Sequence, residues 1–386
     1  MAPAVETGLA VLLAEGHPAL EGRRLGLLTN PTGVDCRLRS TVDLLLADPR
    51  FRLVALFGPE HGVRGDAQAG EAVASGTDPR TGLPAYSLYG RTRRPTPAML
   101  SGLDALVVDL QDVGVRYATY ASTTILAQEA AAEASIPLVI LDRPNPLGGE
   151  RIEGGLLGPA WESFVGAHPV PVRHGLTLGE LAQLVAAERG WPEPVVVPLR
   201  GWQRGWWFDE TGLPWVQPSP NLPTLDALTL YPGTCLLEGT NLPEGRGTTR
   251  PFELVGAPWL DPHAFAEELS RRDVPGLVAR PAYFVSTFSK HAGVRCGGVQ
   301  LHVVDREALR PVALGLHLLD AVRRLDPGAF DWVVDEVGRR FVDVLLGGDE
   351  PRTALETGAD VERIESQWEG EAAAFGERRR LFLLYG

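Results

Sequence analysis

Four short apolar runs in the first half of the chain, Arg24–Leu28, Arg52–Phe57, Ala105–Leu110 and Pro137–Leu141, each pass straight into polar, turn-rich sequence. The runs are rich in Leu, Val and Ile, and the stretches between them are long enough for helices. That is the pattern of βα units wound into a mostly parallel sheet. Val195–Pro198 reads as a further strand. Thr123–Ala134 is built of Ala, Leu, Gln and Glu, and Thr177-Leu178-Gly179-Glu180 reads as a capping box opening a helix to about Glu188. The expected class is α/β.

The four strands run on into TNPTGVD (29–35), GPEHGVRGD (58–66), QDVGVRY (111–117) and DRPNPLGG (142–149). Loops of βα units are generically rich in turn residues. The density of Asp, Glu, His, Arg and Asn in all four exceeds that, and ligands of open parallel sheets bind outside the carboxyl ends of the strands. From about Trp202 the sequence becomes rich in Trp and Pro. Five tryptophans from Trp191 to Trp215 are unlike a solvated tether, so an ordered crossover walling a cleft is expected. Beyond it, helix patterns at His263–Arg272, Arg306–Leu325 and Asp360–Arg379 and strand patterns at Ala282–Phe288 and Val299–Val304 describe a second α/β segment. A length of 386 residues suits two domains, divided as 1–228 and 229–386.

Composition removes several function classes. With 49 acidic and 36 basic residues the net charge is −13, and no basic stripe exists to neutralise phosphates, so nucleic acid is not an expected partner. Lys290 is the only lysine, and it lies in STFSK outside any GxxxxGK pattern, which disfavours Schiff-base and P-loop chemistry. No apolar run approaches the roughly 18–20 residues of a membrane span, and no membrane insertion is expected. The start MAPAVETGLAVLLAEG lacks a basic n-region, so no secretory signal is read there. Cys36, Cys235 and Cys296 are widely spaced and suit a reducing, cytoplasmic setting. The eight histidines show no HxH or HExxH pairing, so no metal is expected, and with neither GxSxG nor a GxGxxG after the first strand no other cofactor is.

Three segments can carry chemistry. Glu60, after the second strand, is placed for a general acid with a raised pKa, or else it caps a helix or pairs with Arg64. Asp112, Arg116, Tyr117 and Tyr120 offer acid, guanidinium and phenol for a polar ring-shaped ligand, or else Asp112 and Arg116 form an ion pair at a helix start. The densest stretch is YPGTCLLEGTNLPEGRGTTRPFE (231–253), with Glu238, Asn241, Glu244, Arg246, Arg250 and Glu253 among four glycines and no long helix or strand expected. It reads as a ligand loop where backbone approaches closely, or as a glycine-rich domain connection with surface ion pairs.

GPEHGVRGD, DLQDVGVRYATY, DRPNP, PSPNLPT and the 231–253 stretch together resemble the exo-acting β-N-acetylmuramidases of the NamZ type, from about Leu25 to the C-terminus. The resemblance implies a Rossmann-like N-terminal domain, a smaller C-terminal α/β domain and an active site in the cleft between them. It implies release of N-acetylmuramic acid from the non-reducing ends of peptidoglycan fragments in bacterial cell-wall recycling. A peptidoglycan-derived disaccharide or oligosaccharide is then the partner. Glu60 falls on the glutamate of the GPEHG motif and becomes the expected acid/base. The second catalytic group is Asp112, Glu238 or Glu244, or the substrate's own 2-acetamido group. The lactyl carboxylate calls for arginine, with Arg116, Arg246, Arg250 and Arg64 as choices. Further sugar contacts are expected from Asn30, His61, Tyr117, Asn145, Glu238 and Asn241. Relatives acting on external wall fragments often carry export signals, so this chain is expected either to work on imported fragments in the cytoplasm or to be exported from a native N-terminus that differs from this one. The same cleft would equally serve a non-catalytic muropeptide-binding protein.

Overall fold

The computed structural model describes residues 5–65, 67, 68 and 70–386, and the chain divides into two compact units. The first comprises the chain up to Arg151, His174–Pro220 and Glu377–Gly386; the second comprises Ile152–Arg173 and Asn221–Gly376. Among its described residues the first unit forms a sheet from β1 (Arg24–Thr29), β2 (Arg52–Gly58), β3 (Gly76–Thr77), β4 (Pro84–Ser87), β5 (Ala105–Asp109), β6 (Leu138–Leu141) and β9 (Val195–Val197). β7 (Glu153–Leu156) and β8 (Pro171–Arg173) form an antiparallel pair in the second unit.

The sheet order is β3-β4-β2-β1-β5-β6-β9, parallel except for β3 against β4. Leaving out that short antiparallel edge, the parallel strands follow the doubly wound, Rossmann-like order, which reverses direction between β1 and β5. Successive strand residues point to opposite faces, and both faces are covered. Leu25, Leu27, Val107 and Val139 pack against Leu9 and Leu12 of α1 (Gly8–Glu15) and Val42 and Leu45 of α2 (Thr41–Ala47). Past the short α3 (Pro97–Leu100), Leu28, Phe57, Val108 and Ile140 meet Ala127 and Ala130 of α4 (Thr119–Glu133) and Leu178 and Ala182 of α5 (Leu178–Arg189). Each fully buried Leu or Val contributes about 1.5–3 kcal/mol.

The early strands lie within a residue or two of their expected positions, and Thr177 and Glu180 form the expected capping box of α5. α4 begins four residues earlier than its alanine-rich core suggested, because Thr119 and Tyr120 are already helical. The Trp-rich crossover is ordered: Trp202 and Trp207 are buried, and a 3₁₀ turn spans Phe208–Thr211. With Thr32, Gln111 and Arg143 at the switch point, Phe208, Leu213 and Val216 of this crossover line a small cavity. Residues 377–386 return to the first unit and bond into it. Asp142, fully buried after β6, accepts hydrogen bonds from Gly179 N, Thr177 Oγ1 and, at 2.6 Å, Tyr385 Oη.

In the second unit β10 (Leu254–Ala257), β11 (Leu277–Val285) and β12 (Arg295–Val303) form an antiparallel sheet ordered β10-β12-β11. The strand expected at Ala282–Phe288 begins five residues earlier. Pro281 lies inside it, which an edge strand tolerates because the missing N–H costs no ladder bond. The helix expected from Arg306 starts at Pro311. The 231–253 stretch, where no long helix or strand was expected, opens with the last turn of α6 (Leu225–Thr234) and a 3₁₀ turn over Cys235–Gly239. Gly233 explains part of that motif: a Cβ there would stand 1.9 Å from Pro311 O, at the N-terminal end of the Pro311–Leu325 helix. Gly233→Ala is expected to cost about 1–3 kcal/mol by overpacking, read as a lower urea midpoint with unchanged m-value.

Candidate active site

Four polar loops leave the carboxyl ends of β2, β1, β5 and β6, which are consecutive in the sheet. Glu60, two residues beyond β2, is partly exposed and fixed at both oxygens: Oε1 accepts from Gly70 N at 2.9 Å and Oε2 from Thr119 Oγ1 at 2.7 Å. The backbone is forced here, because His61 holds φ +71, a left-handed conformation uncommon for a side-chain-bearing residue. The His61 ring is buried and its Nδ1 lies 2.8 Å from Ala67 O, so the imidazole ties down its own loop. Asp66 of the motif lies outside the described residues.

Across the switch point, Asn30 Oδ1 accepts from Thr32 N at 2.9 Å and Thr32 Oγ1 at 2.6 Å. Gln111 N donates to the same Thr32 hydroxyl at 2.9 Å, joining the β1 and β5 loops. Asp112 is buried, with Oδ2 accepting from Gly114 N at 2.8 Å. Burial pushes its carboxyl up to about 6, against the pull of the Gly114, Val113 and Ala121 amides. Tyr120, in the second position of α4, joins these groups. Burial and the charges of Glu60 and Asp112 push its phenol above the usual range, while Asn30 opposes them, and its hydroxyl donates to Pro218 O. Asn30, Glu60, Asp112 and Tyr120 therefore form one cluster.

Other expected site residues in this unit have structural partners. Arg64 makes a two-pronged ion pair with Asp78, at 2.9 and 2.8 Å, and that bond first of all lowers the Asp78 carboxyl to about 2. Asn145 donates to Leu176 O at 2.9 Å and accepts from Leu147 N at 3.1 Å, buttressing Gly114. Arg116 and Tyr117 are buried, and the Arg116 charge helps keep the buried His174 neutral, at about 3, after burial itself and Arg379. Sequence reasoning missed Asp109 and Arg143, which form a buried bidentate pair with Nε–Oδ1 2.5 Å and Nη2–Oδ2 3.0 Å. Thr41 Oγ1 adds a third donor to Asp109 at 2.5 Å. The signal available was an acid closing β5 and an arginine two residues beyond the adjacent β6.

The second unit gathers Glu238, Glu244 and Arg246. Glu244 is buried; Arg246 Nη1 reaches its Oε1 and Lys290 Nζ its Oε2, each at 3.0 Å. Burial alone would raise its pKa, but the two cations outweigh it and hold the carboxyl below its ordinary range. Arg246 Nη1 also donates to Glu238 Oε1 at 2.8 Å. Arg250 is half-exposed and pairs with Glu253 at 3.0 Å. Asn241 is spent on backbone, donating to Ala329 O at 2.7 Å and accepting from Asp331 N at 3.1 Å. Among the described residues no group of three or more His, Cys, Asp or Glu side chains is placed to hold a metal ion, and no helix is long and apolar enough to cross a membrane.

A Rossmann-ordered sheet with buried and partly exposed carboxylates at its switch point, followed by a second α/β unit, defines a two-unit α/β protein with its candidate site at the carboxyl ends of the strands. The models of the exo-β-N-acetylmuramidase NamZ N-terminal and C-terminal domains match residues 25–226 and 229–385, and the chain belongs to that family. It is 47% identical over 384 residues to the peptidoglycan β-N-acetylmuramidase NamZ of Bacillus subtilis, covering 99% of this chain and 92% of that one. Among solved structures, a DUF1343 family protein of Bacteroides fragilis superposes with a TM-score of 0.91 at 36% identity, covering 100% of both chains. A second DUF1343 protein of that organism gives 0.78 at 32%, over 99% of both.

Asp112 carries a pH prediction. Its folded pKa of about 6 lies above the ordinary 3.8, so it contributes stability that is fully present below about pH 4 and lost as pH rises through 6. The loss is about 3 kcal/mol. Asp112→Asn removes this dependence, so the stability of the wild type relative to the variant is expected to fall between pH 4 and 7. A constant difference in urea midpoints across that range would contradict it.

Proposed function

We propose that this protein is an exo-acting glycosidase that releases N-acetylmuramic acid from the non-reducing end of peptidoglycan fragments such as MurNAc–GlcNAc, with Glu60 as its catalytic acid/base. The carrying observation is the Glu60 carboxylate itself: partly open at the sheet edge, with a hydroxyl and an amide fixing its orientation, in a chain of this family. Cleaving a glycosidic bond requires a proton delivered to the leaving oxygen, and the same group can then deprotonate the attacking water. Thr119 and Gly70 set the direction from which that proton arrives.

Asp112 is the better second carboxylate. Both Glu244 oxygens are bound to cations, which suits an internal counter-ion rather than a group that meets the anomeric carbon. Asp112, pushed to about 6, orients the cluster or the substrate's 2-acetamido group. The three cysteines are free, which suits the reducing cytoplasm, where imported wall fragments would be the substrate. Incubation with MurNAc–GlcNAc should yield free N-acetylmuramic acid by mass spectrometry. Saturable binding without release would make the protein a muropeptide-binding protein instead.

A further inference from the structure

The cavity beneath the Trp-rich crossover lies wholly within the first unit, and two of the residues lining it keep one polar atom unspent. Arg143 commits Nε and Nη2 to Asp109 and Val34 O, while Nη1 bonds none of the described residues. Gln111 commits Nε2 to Asp112 O and Pro144 O, both at 2.8 Å. Both of those partners are carbonyls, so the amide cannot be turned over, and Oε1 bonds none of the described residues. Arg143 and Gln111 are 6% and 4% exposed, yet neither free atom is enclosed by protein on all sides, so the cavity is the space they meet. Phe208, Leu213 and Val216 give it an apolar side, with the Phe208 ring braced edge-on by Trp215 at 4.9 Å. Leu213 and Val216 are half-buried, which opens the cavity to the surface. It adjoins the Glu60 cluster: Thr32 lines it and bonds Asn30, and Gln111 lines it and precedes Asp112.

The space is about 20 Å³, on a scale where a single water needs about 10–15 Å³. A sugar ring is too large for it; an acetyl group is not. A carboxylate is the wrong occupant, because the Arg143 charge is already balanced by Asp109 and the Gln111 oxygen would repel it. A secondary amide supplies an acceptor, a donor and a methyl together. We propose that this cavity is the pocket for the N-acetyl group of the sugar: its carbonyl accepts from Arg143 Nη1, its N–H donates to Gln111 Oε1, and its methyl packs against Phe208, Leu213 and Val216. This rests on the glycosidase reading above and adds to it a specificity pocket held entirely by the first unit. A buried donor and acceptor make such a pocket selective, since a ligand without the matching groups leaves them unpaired.

Val216→Ala tests it, because it widens the pocket at a half-buried position without touching a polar contact. kcat/KM is measured for MurNAc–GlcNAc and for an analogue whose muramic acid carries N-propionyl in place of N-acetyl. Wild type is expected to prefer the N-acetyl substrate by at least about tenfold, since the extra methylene overfills the cavity. In Val216→Ala that preference is expected to fall to about threefold or less, through a gain on the propionyl substrate. A purely structural role for Val216 would lower both values alike and leave their ratio unchanged. Val216→Phe fills the same space and, once shown to unfold cooperatively, is expected to lose at least about tenfold in kcat/KM on MurNAc–GlcNAc. A wild type indifferent to the extra methylene, a ratio unmoved by Val216→Ala, or full activity in Val216→Phe would overturn the inference and leave the glycosidase reading standing. A wild-type protein that releases no N-acetylmuramic acid would overturn both.

Discussion

Glu60→Gln is expected to fold like the wild type and to hydrolyse MurNAc–GlcNAc about 10²–10⁴-fold more slowly. The amide occupies the same volume and keeps one oxygen for the Gly70 N–H, while the Thr119 hydroxyl can turn from donor to acceptor toward the new NH₂. The structural cost is therefore about 1 kcal/mol or less. The transferable proton is lost. The effect should depend on the leaving group: a nitrophenyl group departs without protonation, so kcat/KM for a nitrophenyl muramide should fall far less than that for the natural disaccharide. Equal losses on both substrates would assign Glu60 to substrate binding rather than proton transfer.

Arg143→Met is expected to destabilise the protein by about 3–5 kcal/mol, because it strands a fully buried Asp109 carboxylate between the ends of β1 and β5. The Thr41 hydroxyl would remain as a neutral donor, too weak to balance the charge. Adding Asp109→Asn should recover part of the loss, since the buried charge goes with its partner. Urea denaturation of the two single variants and the double measures both effects. Since Arg143 also holds Val34 O at 2.9 Å, the β1 loop is expected to loosen, seen as faster amide exchange around residues 30–35.

The sheet was legible in the sequence because its signals are local. Apolar runs of strand length and a capping box at Thr177 need no knowledge of distant residues, and the four polar loops do follow the carboxyl ends of four strands. Residue roles within that edge were less legible, because they depend on partners far along the chain. Asn145 looks like a sugar ligand until its amide is found on Leu176 O, and Arg64 like a carboxylate reader until Asp78 takes both its prongs. Glu244 and Lys290 are 46 residues apart, so nothing local marks them as a pair. Tyr120 was visible within DLQDVGVRYATY, but its place between Asn30, Glu60 and Asp112 comes from three strand ends meeting.

The return of residues 377–386 to the first unit sets an order of events during synthesis. Asp142 is made early, yet the Tyr385 hydroxyl that bonds it lies 243 residues further on. At about 5–20 residues per second, that interval is roughly 10–50 seconds. For that time the nascent first unit carries a half-provided carboxylate near its core, and Glu180 waits equally for the Leu384 amide. The second unit can fold while it is being made; the first reaches its final state only once residues 377–386 have been added. Tyr385 thus acts as a late fastener, completing the unit that carries Glu60 only after the second unit has been made.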